Sequence, residues 1–180
     1  DAQESRGLGD VYKRQAGTLH ALGVKRGDRV LLDMQNCPQL VIAHFAILRA
    51  NAVVVPVNPM NRAEELKHYI TDADAKVAIT TGDLAGELAK ASDALPEGER
   101  LSRMIVTQFT DAFDPGVTGD DAPAAAWVDW LGTRHPLPAL AGGEVMAWTE
   151  ALETSHPVPE HVVGANDMAL LPYTCLLYTS

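Results

Sequence analysis

Apolar residues in this chain fall into short runs divided by polar turns, and from Ala16 onward helix-like and strand-like spacings alternate. That alternation predicts an α/β domain, a layered and largely parallel sheet flanked by helices. A first helix is expected to end near Leu22, because Gly23 suits a left-handed closing position and Lys25-Arg26-Gly27-Asp28 makes a polar turn. A strand over 29–34 follows. Asn36 is placed to cap a second helix, with Pro38 in its first turn, running to about Arg49. Leu40, Val41, Phe45, Ile47 and Leu48 cover most of that helix's circumference, which implies burial on more than one side. The run Val53-Val54-Val55-Pro56-Val57 shows no alternation, as a strand covered on both faces should, and is expected at the centre of the sheet.

Asn61 followed by Glu64 resembles a capping box, and Leu66, Tyr69, Ile70 and Ala73 then repeat at helical spacing over 63–73. A strand over 76–80, a short helix over 83–91 and a strand over 102–107 complete the regular part. Right-handed crossovers should place helices on both faces of the sheet. Between Gln108 and Gly143 the periodicity fades into Asp, Pro, Ala and Gly, which predicts a partly irregular surface excursion. Trp127, Val128, Trp130 and Leu131 are expected to pin it to the core, with the tryptophans as packing anchors rather than ligand contacts. A helix is predicted over 148–153, and Asp167 to Thr174 reads as a short buried strand approaching a loop.

Composition narrows the function classes. An apolar fraction of 47% over 180 residues supports one globular core. With 24 acidic against 14 basic residues, a formal charge of -10 opposes nucleic acid and anionic membrane surfaces as partners. The longest apolar stretch, 40–57, is interrupted by His44, Arg49, Asn51 and Pro56, so no integral membrane segment is expected. Without a charged start leading into an apolar signal core, the expected compartment is the cytoplasm. Cys37 and Cys175 lie far apart and form no ligand spacing, so neither a disulfide framework nor a zinc site is indicated. Cys37 reads as a small residue beside a helix start.

No self-sufficient chemical motif is present. The chain has no GxxxxGK[ST] loop, no GxGxxG, no HExxH and no GxSxG. His20, His44, His68, His135, His156 and His161 are scattered; His44, on an apolar helix, reads as a core or boundary residue. Glu64, Glu65, Asp72 and Asp74 read as a solvated face. The residues taken alone therefore indicate an α/β domain without a specified activity.

Resemblance goes further. GVKRGDRVLL (23–32), MQNCPQLVIAHFAILRANAVVVPVNP (34–59) and AEELKHYITDADAKVAI (63–79) resemble, in order, the start of the AMP-forming acyl-CoA synthetases, whose superfamily includes luciferases and peptide-synthetase adenylation domains. DMALLPYT (167–174) is similar to the strand that leads into that family's SGTTGxPKG phosphate loop. The resemblance is weak between 108 and 165. It implies the N-terminal lobe of the adenylate-forming fold, divided as an α/β lobe over 16–107, an irregular excursion with a short helix over 108–165, and a strand toward the phosphate loop over 166–174. Residues 1–15 and 175–180 resemble translated adapter sequence, so a non-native leader and tail are expected there.

The family's reaction begins when a carboxylate attacks the α-phosphate of ATP, giving an acyl-adenylate and pyrophosphate, and ends with transfer to coenzyme A. ATP, Mg2+ and coenzyme A are the cofactors the resemblance implies, and a fatty or aromatic acid the substrate. A Gly/Ser/Thr-rich loop holds ATP phosphates because its backbone amides converge on one polyanion. Here Thr174 is followed by Cys175-Leu176-Leu177-Tyr178-Thr179-Ser180, which lacks glycine and lysine. Thr174, at the edge of that loop, is the one ATP contact implied. The groups the family uses for magnesium, ribose and catalysis lie beyond it, so no catalytic residue and no metal ligand is expected, and the chain alone should be inactive. An amino-acid adenylation domain and a non-catalytic flavodoxin-like binding module are the competing readings.

Overall fold

The aliphatic runs read as strands come together in one five-stranded parallel sheet of order β2-β1-β3-β4-β5. The structure is a computed structural model and describes residues 2–112 and 124–173, with side chains from residue 9 onward except at residue 125. Along the chain the elements are α1 (Ala2–Ala21), β1 (Arg29–Asp33), α2 (Pro38–Arg49), β2 (Val53–Val57), α3 (Ala63–Asp72), β3 (Val77–Thr81) and α4 (Gly82–Asp93). They continue with β4 (Arg103–Thr107), α5 (Ala125–Gly132), β5 (Glu144–Ala147) and α6 (Trp148–Glu153). Among the described residues no helix is long and apolar enough to cross a membrane.

The pleat sends alternate strand residues to opposite faces, and both faces are covered. Val30, Leu32, Val54, Ile79 and Ile105 pack with α1, α2 and α6 on one side. Leu31, Val55, Ala78, Met104 and Val106 pack with α3 and α4 on the other. The helices change sides where the strand order reverses, as right-handed crossovers require.

β2 is not central. It lies at the end of the strand order, although Val53, Val54 and Val55 are 3%, 0% and 0% exposed. A β-branched run without alternation reports that both faces are covered, here by α2 and α3, and carries no information on whether both edges are paired. The outer edge of β2 meets the chain again at one bridge: the Val54 N–H donates to Ala169 O at 3.0 Å and the Leu171 N–H to Val54 O at 2.9 Å. Residues 161–170 are exposed, so the stretch expected as a buried strand is a surface strap with one bridge to the sheet. Polar groups hold it. Asp167 accepts from Arg26, Asn51 holds Glu160 and Val162 by their backbones, and Arg49 donates to Pro159 O.

Two helix starts sit one residue later than the capping residues predicted. Cys37, not Asn36, occupies the cap of α2, and at α3 the Arg62 N–H donates to the Glu65 carboxylate at 3.0 Å in place of an Asn61–Glu64 box. α1 runs unbroken through Gly7 and Gly9. A helix-interior glycine costs about 1 kcal/mol relative to alanine, whereas burying a side chain such as Leu19, fully buried here, contributes about 1.5–3 kcal/mol. Gly23, at φ 93°, closes α1 as its position predicts, with the Val24 N–H returned to Leu19 O.

Candidate functional site

Parallel strands point all their carboxyl ends to one rim, and ligands of open α/β sheets bind there, at the point where strand order reverses. In this sheet the reversal falls between β1 and β3, whose ends carry Asp33 and, in register with it, Thr80. α2 and α4 both begin at this rim, so Gln39 and Asp83 enter it from their first turns.

The result is a buried polar cluster. Asp33, Gln39, Thr81 and Gln108 are 2%, 1%, 1% and 5% exposed. Gln39 donates to Gln108 O at 3.0 Å, and the Gln108 amide grips the His135 backbone in both directions, at 2.9 and 3.0 Å. Gly82 makes room for that amide: a Cβ there would stand 2.5 Å from the Gln108 Oε1. Yet Asp33 Oδ1, Gln39 Oε1, Thr81 Oγ1 and Asp83 Oδ1 find no hydrogen-bond partner among the described residues. Burial, reinforced by the nearby Asp83 charge, pushes the Asp33 carboxyl up from 3.8 to about 7. Burial also raises the Cys37 thiol, against the Leu40 and Gln39 backbone amides that favour its thiolate, with Asp83 raising it further. The cluster can hold a proton at neutral pH. Among the described residues no group of three His, Cys, Asp or Glu side chains is placed to hold a metal ion.

Beside it, at the carboxyl ends of β1 and β2, lies a cleft of about 520 Å³ lined by Met34, Gln35, Asn36, His44, Pro59 and Met60 among others. His44 is half-buried and packs edge-on against Phe45, with ring centroids 5.5 Å apart. It is a boundary residue that also faces this cleft. The expected tryptophan anchors divide: Trp130 packs against the buried Phe109 at 4.6 Å, while Trp127 is 59% exposed.

At the end of the described chain, the Tyr173 hydroxyl donates to the Asp72 carboxylate at 2.5 Å, and its ring stands edge-on to Tyr69 at 4.7 Å. Burial and that carboxylate both push the Tyr173 hydroxyl upward. Asp72, read as part of a solvated face, thus has a partner. Thr174 and Cys175 to Ser180 lie outside the described residues. Sequence reasoning missed Asp33, Gln39 and Asp83; the available signal was an acidic residue directly after an apolar strand that precedes a helix.

Comparison with known proteins agrees with the fold. The model of the family described as AMP-binding enzyme matches residues 6–175. A salicyl-AMP ligase / salicyl-S-ArCP synthetase of Mycobacterium tuberculosis is 36% identical over 128 residues, 69% of this chain and 21% of that protein. A long-chain-fatty-acid–CoA ligase of Escherichia coli is 43% identical over 90 residues, 50% of this chain and 15% of its own length. The chain thus spans about a fifth or less of these relatives. Among solved structures, a long-chain-fatty-acid-CoA ligase from Archaeoglobus fulgidus superposes with a TM-score of 0.64 at 23% identity, covering 94% of this chain and 27% of that one. A coronafacic acid ligase from Pectobacterium brasiliense does so at 0.63 and 19%, covering 92% and 27%. With a family match over nearly its whole length and the fold of the N-terminal domain of adenylate-forming enzymes, this chain belongs to the AMP-binding enzyme family.

Proposed function

We propose that the chain is the N-terminal lobe of a ligase that activates a fatty or aromatic carboxylic acid with ATP and passes the acyl group to coenzyme A. The family match over residues 6–175 carries this reading. ATP supplies the adenylyl group and coenzyme A the accepting thiol. Magnesium would be held chiefly by the ATP phosphates, and among the described residues no three His, Cys, Asp or Glu side chains converge to hold it without them.

What these residues contribute is position. The 2-1-3-4-5 order opens a crevice at the carboxyl rim, and the Asp72–Tyr173 hydrogen bond fixes the chain immediately before Thr174. A phosphate-holding role for Thr174 is part of the same proposal. Positioning alone makes no nucleophile or acid, so the isolated 180-residue chain is expected to release no pyrophosphate from ATP.

The test is ATP–pyrophosphate exchange by the intact parent protein, with fatty and aromatic acids supplied separately. Exchange dependent on one acid class, followed by thioester formation with coenzyme A, is the expected result. Absence of exchange with every acid would overturn the reading. The name of the Mycobacterium tuberculosis relative favours a second acceptor, since that protein's product is a carrier-protein thioester. Adenylate formation that proceeds to a carrier protein and not to coenzyme A would select that alternative.

A further inference from the structure

The outer edge of β2 gives the returning chain little to pair with. Val54 makes the bridge there, donating to Ala169 O and accepting from the Leu171 N–H. In a parallel ladder the next residue of β2 to face the same edge is two further on, and that residue is Pro56, which has no N–H to donate. Pro172 lacks an N–H as well, and among the described residues neither Pro172 nor Tyr173 makes a backbone hydrogen bond. What fixes the chain at residue 173 is therefore a side chain.

Helix α3 receives it. Residues 68, 69 and 72 share one face of that helix, since side chains three and four apart are neighbours. His68 and Tyr69 stand edge-on to the Tyr173 ring, with centroids 6.0 and 4.7 Å away, an arrangement in which aromatic rings attract. Asp72 accepts the hydroxyl hydrogen at 2.5 Å, and a bond to an ionised acceptor is among the stronger kinds. The two rings set where the Tyr173 ring lies, and the carboxylate sets where its hydroxyl points. The strap is thus pinned at Asp167 by Arg26 and at Tyr173 by α3, with one bridge between.

We propose that Asp72 is a positioning residue for ATP: by holding the Tyr173 hydroxyl it sets the place from which the chain enters its phosphate-holding stretch. This rests on the ligase reading given above, which assigns that stretch to the residues from Thr174 onward. Charge alone predicts the opposite effect. A carboxylate near a polyanion repels it, so removing the Asp72 charge without any positioning role would tighten ATP. Losing the latch loosens it.

The test is ATP–pyrophosphate exchange by the intact parent protein and its variants, with KM for ATP and KM for the acid measured separately. Asp72→Ala and Tyr173→Phe should each raise the KM for ATP about tenfold, the loss implied by one hydrogen bond to a charged acceptor. The KM for the acid should stay in place. The double variant should be no worse than either single one, because both remove the same bond. Asp72→Asn keeps an accepting oxygen and should restore most of the affinity. Glu64→Ala removes an exposed carboxylate from the other end of α3 and should not raise the KM for ATP. A merely structural loss lowers the folded fraction, and so kcat, while both KM values are kept. That pattern overturns the proposal, as does an unchanged or lowered KM for ATP in Asp72→Ala. In either case exchange by the unsubstituted parent leaves the ligase reading standing, whereas its absence with every acid overturns that reading and the proposal with it.

Discussion

Replacing Asp33 by asparagine should flatten the pH dependence of stability. Asp33 ends β1 at 2% exposure, its Oδ1 has no hydrogen-bond partner among the described residues, and burial, aided by Asp83, raises its carboxyl from 3.8 to about 7. As pH climbs from about 4, the unfolded chain ionises this group first while the folded chain still holds its proton. Folding must therefore retain a proton the solution is withdrawing, and stability falls by about 1.36 kcal/mol per pH unit until the folded carboxyl ionises near 7. Across that window the loss reaches about 4 kcal/mol and then levels off. For a protein of ordinary stability that is a large fraction of the whole.

Asparagine keeps the shape of the side chain and removes the proton. Its curve should lack this fall, so the variant gains on the parent steadily between about pH 4 and about pH 7, whatever its offset at acid pH. The assay is urea unfolding of both chains across that range, followed by fluorescence of the buried Trp148. General repulsion from a net charge of -10 acts on both chains nearly alike, and the difference between their curves isolates residue 33. Asp83→Asn should give a partial version, because its charge is the smaller of the two causes. Two curves parallel to within about 0.5 kcal/mol would show that the Asp33 carboxyl ionises in the folded chain at its ordinary pH, and the reasoning about this rim would fail.

Other expectations follow from packing. Gly17→Ala sets a helix-propensity gain of about 1 kcal/mol against a Cβ placed 2.6 Å from His156 O; overpacking costs about 1–3 kcal/mol and should win, with faster amide exchange around residue 156 as the reading. Ile70→Ala, at a fully buried position between α3 and the sheet, should lose about 2–5 kcal/mol in chemical denaturation. Arg26→Ala removes an ion pair whose side chains are 53% and 36% exposed, so urea unfolding should show little loss of stability, and less still in high salt.

Most helices and four of the five strands are legible in the sequence because their apolar spacing records which faces are covered. Spacing says nothing about lateral neighbours, and so β2 was expected at the centre and found at the edge. β5 carries no comparable pattern. Its four residues are exposed or half-buried, and it pairs with β4 beyond a stretch rich in Ala, Gly and Pro. The strand expected over 167–174 fails for a related reason: Met168, Leu170 and Leu171 look like strand residues, but one bridge and a few polar contacts hold the described part of the segment, leaving Met168 and Leu170 57% and 44% exposed.

The rim cluster was hidden for a deeper reason. Asp33, Gln39, Thr81, Asp83 and Gln108 are separated by up to most of the sheet in sequence, and each alone looks like an ordinary strand end or first-turn residue. They meet because β2 lies on one side of β1 and β3 on the other, which sends α2 and α4 to opposite faces yet starts both at the same edge. Burial there was not chosen residue by residue. It follows from covering both faces of a parallel sheet, which encloses the strand ends and whatever polar groups terminate them. A motif search compares neighbours in sequence and cannot see such a meeting, whereas the strand order alone would have directed attention to the ends of β1 and β3. Among the described residues four oxygens of this cluster have no hydrogen-bond partner, whereas buried polar groups ordinarily find one in the protein or in ordered water.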